Sequence, residues 1–201
     1  MRGWLRRPNA WWALLALGCG PLLWLVWRTL TDQLGANPAE TLIRATGDWA
    51  IRGLCITLAV TPLRTVLGWP ELARFRRLLG LLTFGYAALH LLCYAWFDMG
   101  LDWDDIAKDI AKRPFILVGF SAMLILLVLA ATSFNRAIRW LGAARWQALH
   151  RAVYAAAVLA VLHFWWMRSG KRLYGEVLFY GFILAALLMW RLRRRWRRSR
   201  A

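Results

Sequence analysis

Six stretches of mostly apolar residues, each bounded by charge, proline or glycine, divide the chain: Trp11 to Trp27, Trp49 to Trp69, Leu78 to Phe97, Phe115 to Thr132, Leu149 to Met167 and Tyr174 to Trp190. A bilayer-crossing helix needs about 20 predominantly apolar residues, and in lipid a helix satisfies its own backbone polar groups. The pattern predicts an all-α integral membrane protein, a bundle of six transmembrane helices. Connections between the runs are short, so residues 1–201 form one expected domain. The first run follows Arg2, Arg6 and Arg7, but it is longer than a secretory signal core and lacks a small-x-small cleavage site. It is expected to be retained as the first span. Within it, Gly18-Cys19-Gly20-Pro21 marks a place where a helix is liable to break.

Composition agrees with a membrane. Hydrophobic residues make up 61% of the chain, 15 residues are Trp, and 18% are charged, below the roughly 25% of a globular protein. The net charge of +17 would suit a nucleic-acid binder, but nearly all the basic residues flank the apolar runs and seven follow Trp190. That placement argues against nucleic acid and makes anionic lipid head groups the expected counter-charge. With alternating sides, the side holding both termini carries 16 Lys and Arg in its loops and the other side 8, which predicts both termini cytoplasmic. Asp32, Glu40, Asp48, Asp98, Asp102, Asp104, Asp105 and Asp109 all fall on the opposite side. Of these, Asp102, Asp104 and Asp105, in an acidic outer loop expected from Asp98 to Asp109, form the candidate docking surface for a periplasmic partner. Trp4, Trp11, Trp12, Trp27, Trp49, Trp69, Trp165, Trp166, Trp190 and Trp196 lie near expected span ends, where an indole anchors in the head-group region.

The candidate chemistry lies with three histidines, all in or at expected spans: His90 in the third, His150 at the start of the fifth and His163 deeper in the fifth. Ionisable groups in hydrocarbon are costly and mark function or interhelical hydrogen bonds. The third and fifth helices run in the same direction, and at about 1.5 Å per residue His90 and His163 lie roughly 18 and 21 Å from their inner ends. Two neutral imidazoles at one depth suit the axial positions of a haem, and filling both leaves no open position for substrate. No Cys-x-x-Cys-His occurs, so the haem would be b-type. Cys19, Cys55 and Cys93 sit singly in three spans, which fits neither a disulfide framework nor a metal cluster.

His150 precedes His163 by thirteen residues, a separation of roughly 20 Å that leaves the two side chains about 140° apart on an ideal helix. Both can face the third helix only if the fifth bends or bulges. The third helix offers Arg77 and no histidine at the matching depth, so His150 with Arg77 stands as a candidate for a second haem or a quinone, or His150 caps its helix. Arg64 and Arg151 are read as snorkelling to the interface. Arg52, entering the second span from its outer side, is the candidate partner of haem propionates.

Several segments carry a resemblance. Thr46-Gly47-Asp48-Trp49-Ala50 leads to Leu58-Ala59-Val60-Thr61-Pro62-Leu63-Arg64, and Arg76-Arg77-Leu78-Leu79-Gly80 leads to Tyr86-Ala87-Ala88-Leu89-His90. Further along come Lys112-Arg113-Pro114-Phe115, Arg145-Trp146-Gln147-Ala148-Leu149-His150-Arg151 with Tyr154, and His163-Phe164. Together, over roughly Trp4 to Arg172, they resemble the MsrQ family, formerly YedZ, haem-binding membrane subunits of the bacterial periplasmic methionine-sulfoxide reductase system. The broader ferric-reductase-like transmembrane superfamily, with the NADPH oxidases, shares the histidines of the third and fifth helices. The resemblance implies an inner-membrane electron carrier that takes electrons from the quinol pool and passes them to a periplasmic molybdopterin subunit. It also implies FMN, for which no phosphate-cradling Gly-rich loop is visible. NADPH oxidases have two histidines on the third helix and an appended nucleotide domain, whereas this chain has one and ends soon after the sixth run, so its donor is expected in the lipid or in another protein. A cytosolic flavin reductase feeding the haem, with ferric ion reduced outside, is the alternative. A non-redox membrane protein, with the histidines as interhelical bonds, is the third reading.

Overall fold

The computed structural model describes residues 2–169 and 174–198, and every regular element among them is helical. In chain order these are α1 (Arg2–Arg6), α2 (Pro8–Leu30), α3 (Pro38–Val66), a 3-10 turn (Pro70–Phe75) running into α4 (Arg76–Cys93), and a π-helical turn (Tyr94–Asp98). Then follow α5 (Trp103–Lys112), α6 (Pro114–Ala131), α7 (Asn135–Leu141), α8 (Ala143–His150), α9 (Val153–Ser169) and α10 (Gly175–Arg198). Five helical stretches are long and apolar enough to cross a membrane: Pro8–Leu30, Pro70–Asp98, Pro114–Ala131, Ala143–Ser169 and Gly175–Arg197. Leu17, Leu23 and Leu30 stand 66–81% exposed on α2, large apolar side chains that suit lipid better than water. The chain is a multi-pass membrane protein. The second expected span is present as α3, 29 residues long. Asp48, Arg52 and Arg64 punctuate it, and it is not among the five. The connection expected between the fifth and sixth spans, with Lys171 and Arg172, lies outside the described residues.

Local chemistry explains where the elements begin. Pro8, Pro38 and Pro114 occupy first-turn positions of α2, α3 and α6, where a missing N–H costs nothing. Asn37 caps α3 by accepting the Glu40 N–H at 3.1 Å, so the helix starts well before Trp49. That indole is therefore well inside the helix, and its ring centroid lies 6.1 Å from that of Tyr86. The acidic segment expected as a loop is largely helical. Asp102 accepts the N–H groups of Asp104 and Asp105 at 2.9 and 3.0 Å, which caps α5.

The helices cluster into two compact units, residues 1–100 and 101–201. In the first, α3 and α4 form an antiparallel pair joined by the 3-10 turn. The pair is close enough that a Cβ on Gly53 would meet Thr83 Oγ1 at 2.7 Å, and Thr83 shares a 3.2 Å hydrogen bond with Thr57. Gly18-Cys19-Gly20-Pro21 does not break α2, which runs through to Leu30. The buried Tyr86 hydroxyl accepts the Leu22 N–H at 3.2 Å and donates to the Gly18 carbonyl at 2.7 Å. Those are the two groups an α-helix pairs with each other, so the side chain serves the helix next to a proline that supplies no N–H.

In the second unit α6 packs antiparallel to α9, against the fully buried Ala156 and Ala157. α9 and α10 are tied near both ends, by Arg168 to Glu176 at 2.9 Å and by Arg191 to the Tyr154 hydroxyl at 3.0 Å. The fifth apolar run is not one straight helix: α8 ends at His150 and α9 begins at Val153.

Replacing Tyr86 with Phe is expected to destabilise the detergent-solubilised protein by about 1–3 kcal/mol, the cost of leaving buried polar groups without a partner. Thermal unfolding measures it; an unchanged transition would mean the hydroxyl does not carry the α2 bridge.

Candidate functional site

His90 projects from the C-terminal part of α4 onto α3. Its Nδ1 lies 2.8 Å from the Ile43 carbonyl oxygen. A carbonyl can only accept, so Nδ1 carries the proton and, in the neutral ring, Nε2 carries the lone pair. Thr46, 3% exposed, donates its hydroxyl to the carbonyls of Leu42 and Ile43 at 2.7 and 3.0 Å. One turn beyond His90, Cys93 lies beside the Thr46 side chain. The ring sits directly on Gly47, where a Cβ would approach Nδ1 to 3.0 Å and Cε1 to 3.1 Å.

His163 projects from α9 onto α6 in the same manner. Its Nδ1 lies 2.7 Å from the Phe115 carbonyl oxygen, which again makes Nε2 the lone-pair nitrogen. Here the ring sits on Gly119, and a Cβ there would fall 2.6 Å from Nδ1 and 2.8 Å from Cε1. Both imidazoles are thus held by a main-chain oxygen in the tautomer a metal ligand needs, the support that ligating histidines regularly have.

His150 differs. Its ring stacks on Trp146 with centroids 4.0 Å apart, and its Nε2 lies 3.1 Å from the Thr132 hydroxyl. The Trp146 indole donates to the Thr132 carbonyl at 2.8 Å. The end of α6 and the end of α8 are therefore latched through Thr132, and the helix is interrupted just after His150, where α8 gives way to α9. Beside the latch, Leu124, Ile125, Val128, Leu129, Leu149 and Ala152 line an apolar cavity of about 240 Å³.

The Arg52 guanidinium lies over the Trp49 ring, 4.8 Å from its centroid. Arg77 is exposed in the first turn of α4. Asp102, Asp104 and Asp105 are exposed at the start of α5, beside a Trp103 that is 74% exposed. Asp105 meets Lys108 at 3.4 Å and Asp109 meets Arg113 at 2.8 Å. Sequence reasoning missed Ile43, Phe115, Gly47, Gly119 and Thr132 as parts of the histidine environments. Gly47 was visible inside the quoted Thr46-Gly47-Asp48 segment, but nothing in that segment names the ring it meets.

A match over residues 46–161 places the chain in a broad class, the family described as ferric reductase like transmembrane component. A protein-methionine-sulfoxide reductase heme-binding subunit MsrQ from Polaromonas naphthalenivorans is 57% identical over 98% of this chain and 90% of its own. The subunits of the same name from Herminiimonas arsenicoxydans and Caulobacter vibrioides are 51% and 43% identical, over 85% and 90% of this chain and 78% and 85% of theirs. The chain belongs to the MsrQ family. No solved structure matches it.

Replacing Thr132 with Val removes the hydroxyl that holds His150 and is expected to cost about 0.5–1.5 kcal/mol, the net worth of one hydrogen bond. Faster amide exchange confined to residues 143–152 is the accompanying signature; uniform exchange would show that the latch does not hold α8.

Proposed function

We propose that this chain is a b-type cytochrome of the bacterial inner membrane, with six spans and both termini cytoplasmic, in which His90 and His163 are the axial ligands of a haem. The observation that carries this reading is the repeated histidine environment: two imidazoles, each donating Nδ1–H to a helix carbonyl, which makes Nε2 the lone-pair nitrogen. The donor chemistry fits ferrous and ferric haem iron, and the relatives' printed name, heme-binding subunit, agrees with it. Bound there, haem supplies a reversible one-electron centre. His90 and His163 would hold it, each in the tautomer set by its carbonyl hydrogen bond, and Arg52, steadied over Trp49, is the residue proposed to meet propionate charge.

With both axial positions taken by protein, substrate reduction belongs elsewhere. We assign that to a periplasmic molybdopterin methionine-sulfoxide reductase subunit, with the quinol pool as donor. The exposed acidic start of α5 is the proposed docking surface. His150 and the apolar cavity beside it, with Arg77 as the other candidate, are where we place a quinone ring in preference to a second haem, because His150 Nε2 already engages the Thr132 hydroxyl. The match to a ferric reductase like component favours one competitor, a haem fed by a cytosolic flavin reductase that reduces ferric ion outside.

Purified protein is expected to show the reduced-minus-oxidised bands of low-spin haem b. His90→Ala and His163→Ala should each abolish them while His150→Ala keeps them; undiminished haem in either of the first two overturns the reading. Following haem reduction in proteoliposomes with quinol and, separately, with reduced flavin decides the donor.

Docking is tested by replacing Asp102, Asp104 and Asp105 with Asn, which keeps the cap on α5 because Asn caps as well as Asp. The rate of partner reduction should fall at low salt and converge with wild type at high salt; identical rates at low salt place the partner elsewhere.

A further inference from the structure

The two histidine environments are the same construction made twice. In the first, the acceptor is Ile43 and the glycine is Gly47; in the second, the acceptor is Phe115 and the glycine is Gly119. Each glycine lies four residues after its acceptor, so carbonyl and glycine present one face of one helix to the ring. The histidine follows its acceptor by 47 residues in the first case and by 48 in the second. Neither glycine has the positive φ that only glycine tolerates, since both sit inside regular helix. A glycine inside a helix costs roughly 1 kcal/mol relative to alanine, so here the missing Cβ has another use: in both places the atoms it would strike belong to an imidazole.

We propose that Gly47 and Gly119 are positioning residues that set the ring planes of His90 and His163. The proposal rests on the reading of those histidines as iron ligands. A hydrogen bond at Nδ1 fixes the tautomer but does not by itself set the plane of an imidazole, which can tilt about the bond. A helix backbone pressed against the Nδ1–Cε1 edge removes that freedom, so each ring is aimed before any haem enters. The planes of the axial imidazoles govern the splitting of the iron d-orbitals and the strength of the iron–nitrogen bonds, so glycine contacts remote from iron tune the centre through the ligands, as outer contacts at metal sites do. The two seats are not equally tight. At Gly47 the approach is 3.0 Å and a small yielding of the ring accommodates a methyl group; at Gly119 it is 2.6 Å, with a third ring atom, Cγ, at 2.9 Å, and the ring must leave its place.

The experiment uses the full-length protein purified with haem, carrying Gly47→Ala, Gly119→Ala or, as a control, Gly181→Ala. At Gly181 the new Cβ meets only Val161, at an ordinary 3.6 Å. Haem per chain is measured by pyridine haemochrome across a haem titration, the largest g value by low-temperature electron paramagnetic resonance, and the midpoint potential by redox titration. Gly119→Ala is expected to weaken haem binding by roughly 10–100-fold, the range for outer contacts at metal sites. Gly47→Ala should keep its haem but show a displaced g value and potential, and Gly181→Ala should match wild type in all three. Gly47→Ala and Gly119→Ala with wild-type affinity, g value and potential overturn the proposal, as does a change of thermal stability alone, which is all that a helix-packing role would give. If Gly119→Ala is not recovered folded, Gly47→Ala decides by its g value and potential. Failure of the haem reading shows separately: His90→Ala or His163→Ala then retains the low-spin spectrum, whereas failure of this proposal alone leaves the histidine variants without haem and the glycine variants unchanged.

Discussion

A helix carbonyl that also receives the Nδ1–H of an imidazole from the neighbouring helix is the contact on which the rest of this structure turns. It occurs at Ile43 and at Phe115. In lipid no water competes for that carbonyl or that ring, and a histidine without a partner would be expensive. The bond fixes the tautomer and the direction in which each ring points. It also brings the ring against the helix one turn beyond the acceptor, where a Cβ on Gly47 or Gly119 would strike the imidazole.

The packing around those contacts serves the same end. Gly53 lets α3 and α4 meet at Thr83, and the Thr57–Thr83 hydrogen bond joins the pair at the same residue. Tyr86 reaches from α4 into α2 and serves the hydrogen-bonding groups of Gly18 and Leu22. In the other unit, Ala156 and Ala157 are fully buried on α9, and the Arg168–Glu176 and Tyr154–Arg191 contacts tie α9 to α10. Between apolar helices in lipid, where the hydrophobic effect no longer drives association, small residues and a few hydrogen bonds are what fix register. The residues that aim the histidines are drawn from the same set.

Much of the architecture was readable along the chain because span length and hydropathy are local properties. Each of the six apolar runs corresponds to a helical stretch, and His90 and His163 stood out because an ionisable ring in an apolar run is rare. Boundaries were harder. Hydropathy placed the start of the second run at Trp49, while the Asn37 cap and Pro38 start α3 far earlier, through charged positions that hydropathy counts as outside. Gly18-Cys19-Gly20-Pro21 looked like a break because the remedy, the Tyr86 hydroxyl, is 64 residues away from Leu22. The segment after Asp98 looked like a loop because its charges obscure a capped ten-residue helix.

The sequence by itself determined that the chain is helical and membrane-embedded, and which histidines are candidates for iron, since these follow from the length of apolar runs and from the cost of an imidazole within them. Only the tertiary structure decided what holds each ring. A carbonyl has no sequence signature as an acceptor, and a mid-helix glycine reads as a weakness until the neighbouring helix brings a ring against it. The same is true of His150, whose stacking on Trp146 is local but whose bond to Thr132 depends on how α6 and α8 end beside each other. Contacts across 18 to 48 residues of chain arise from helix packing, which no pattern within one helix encodes.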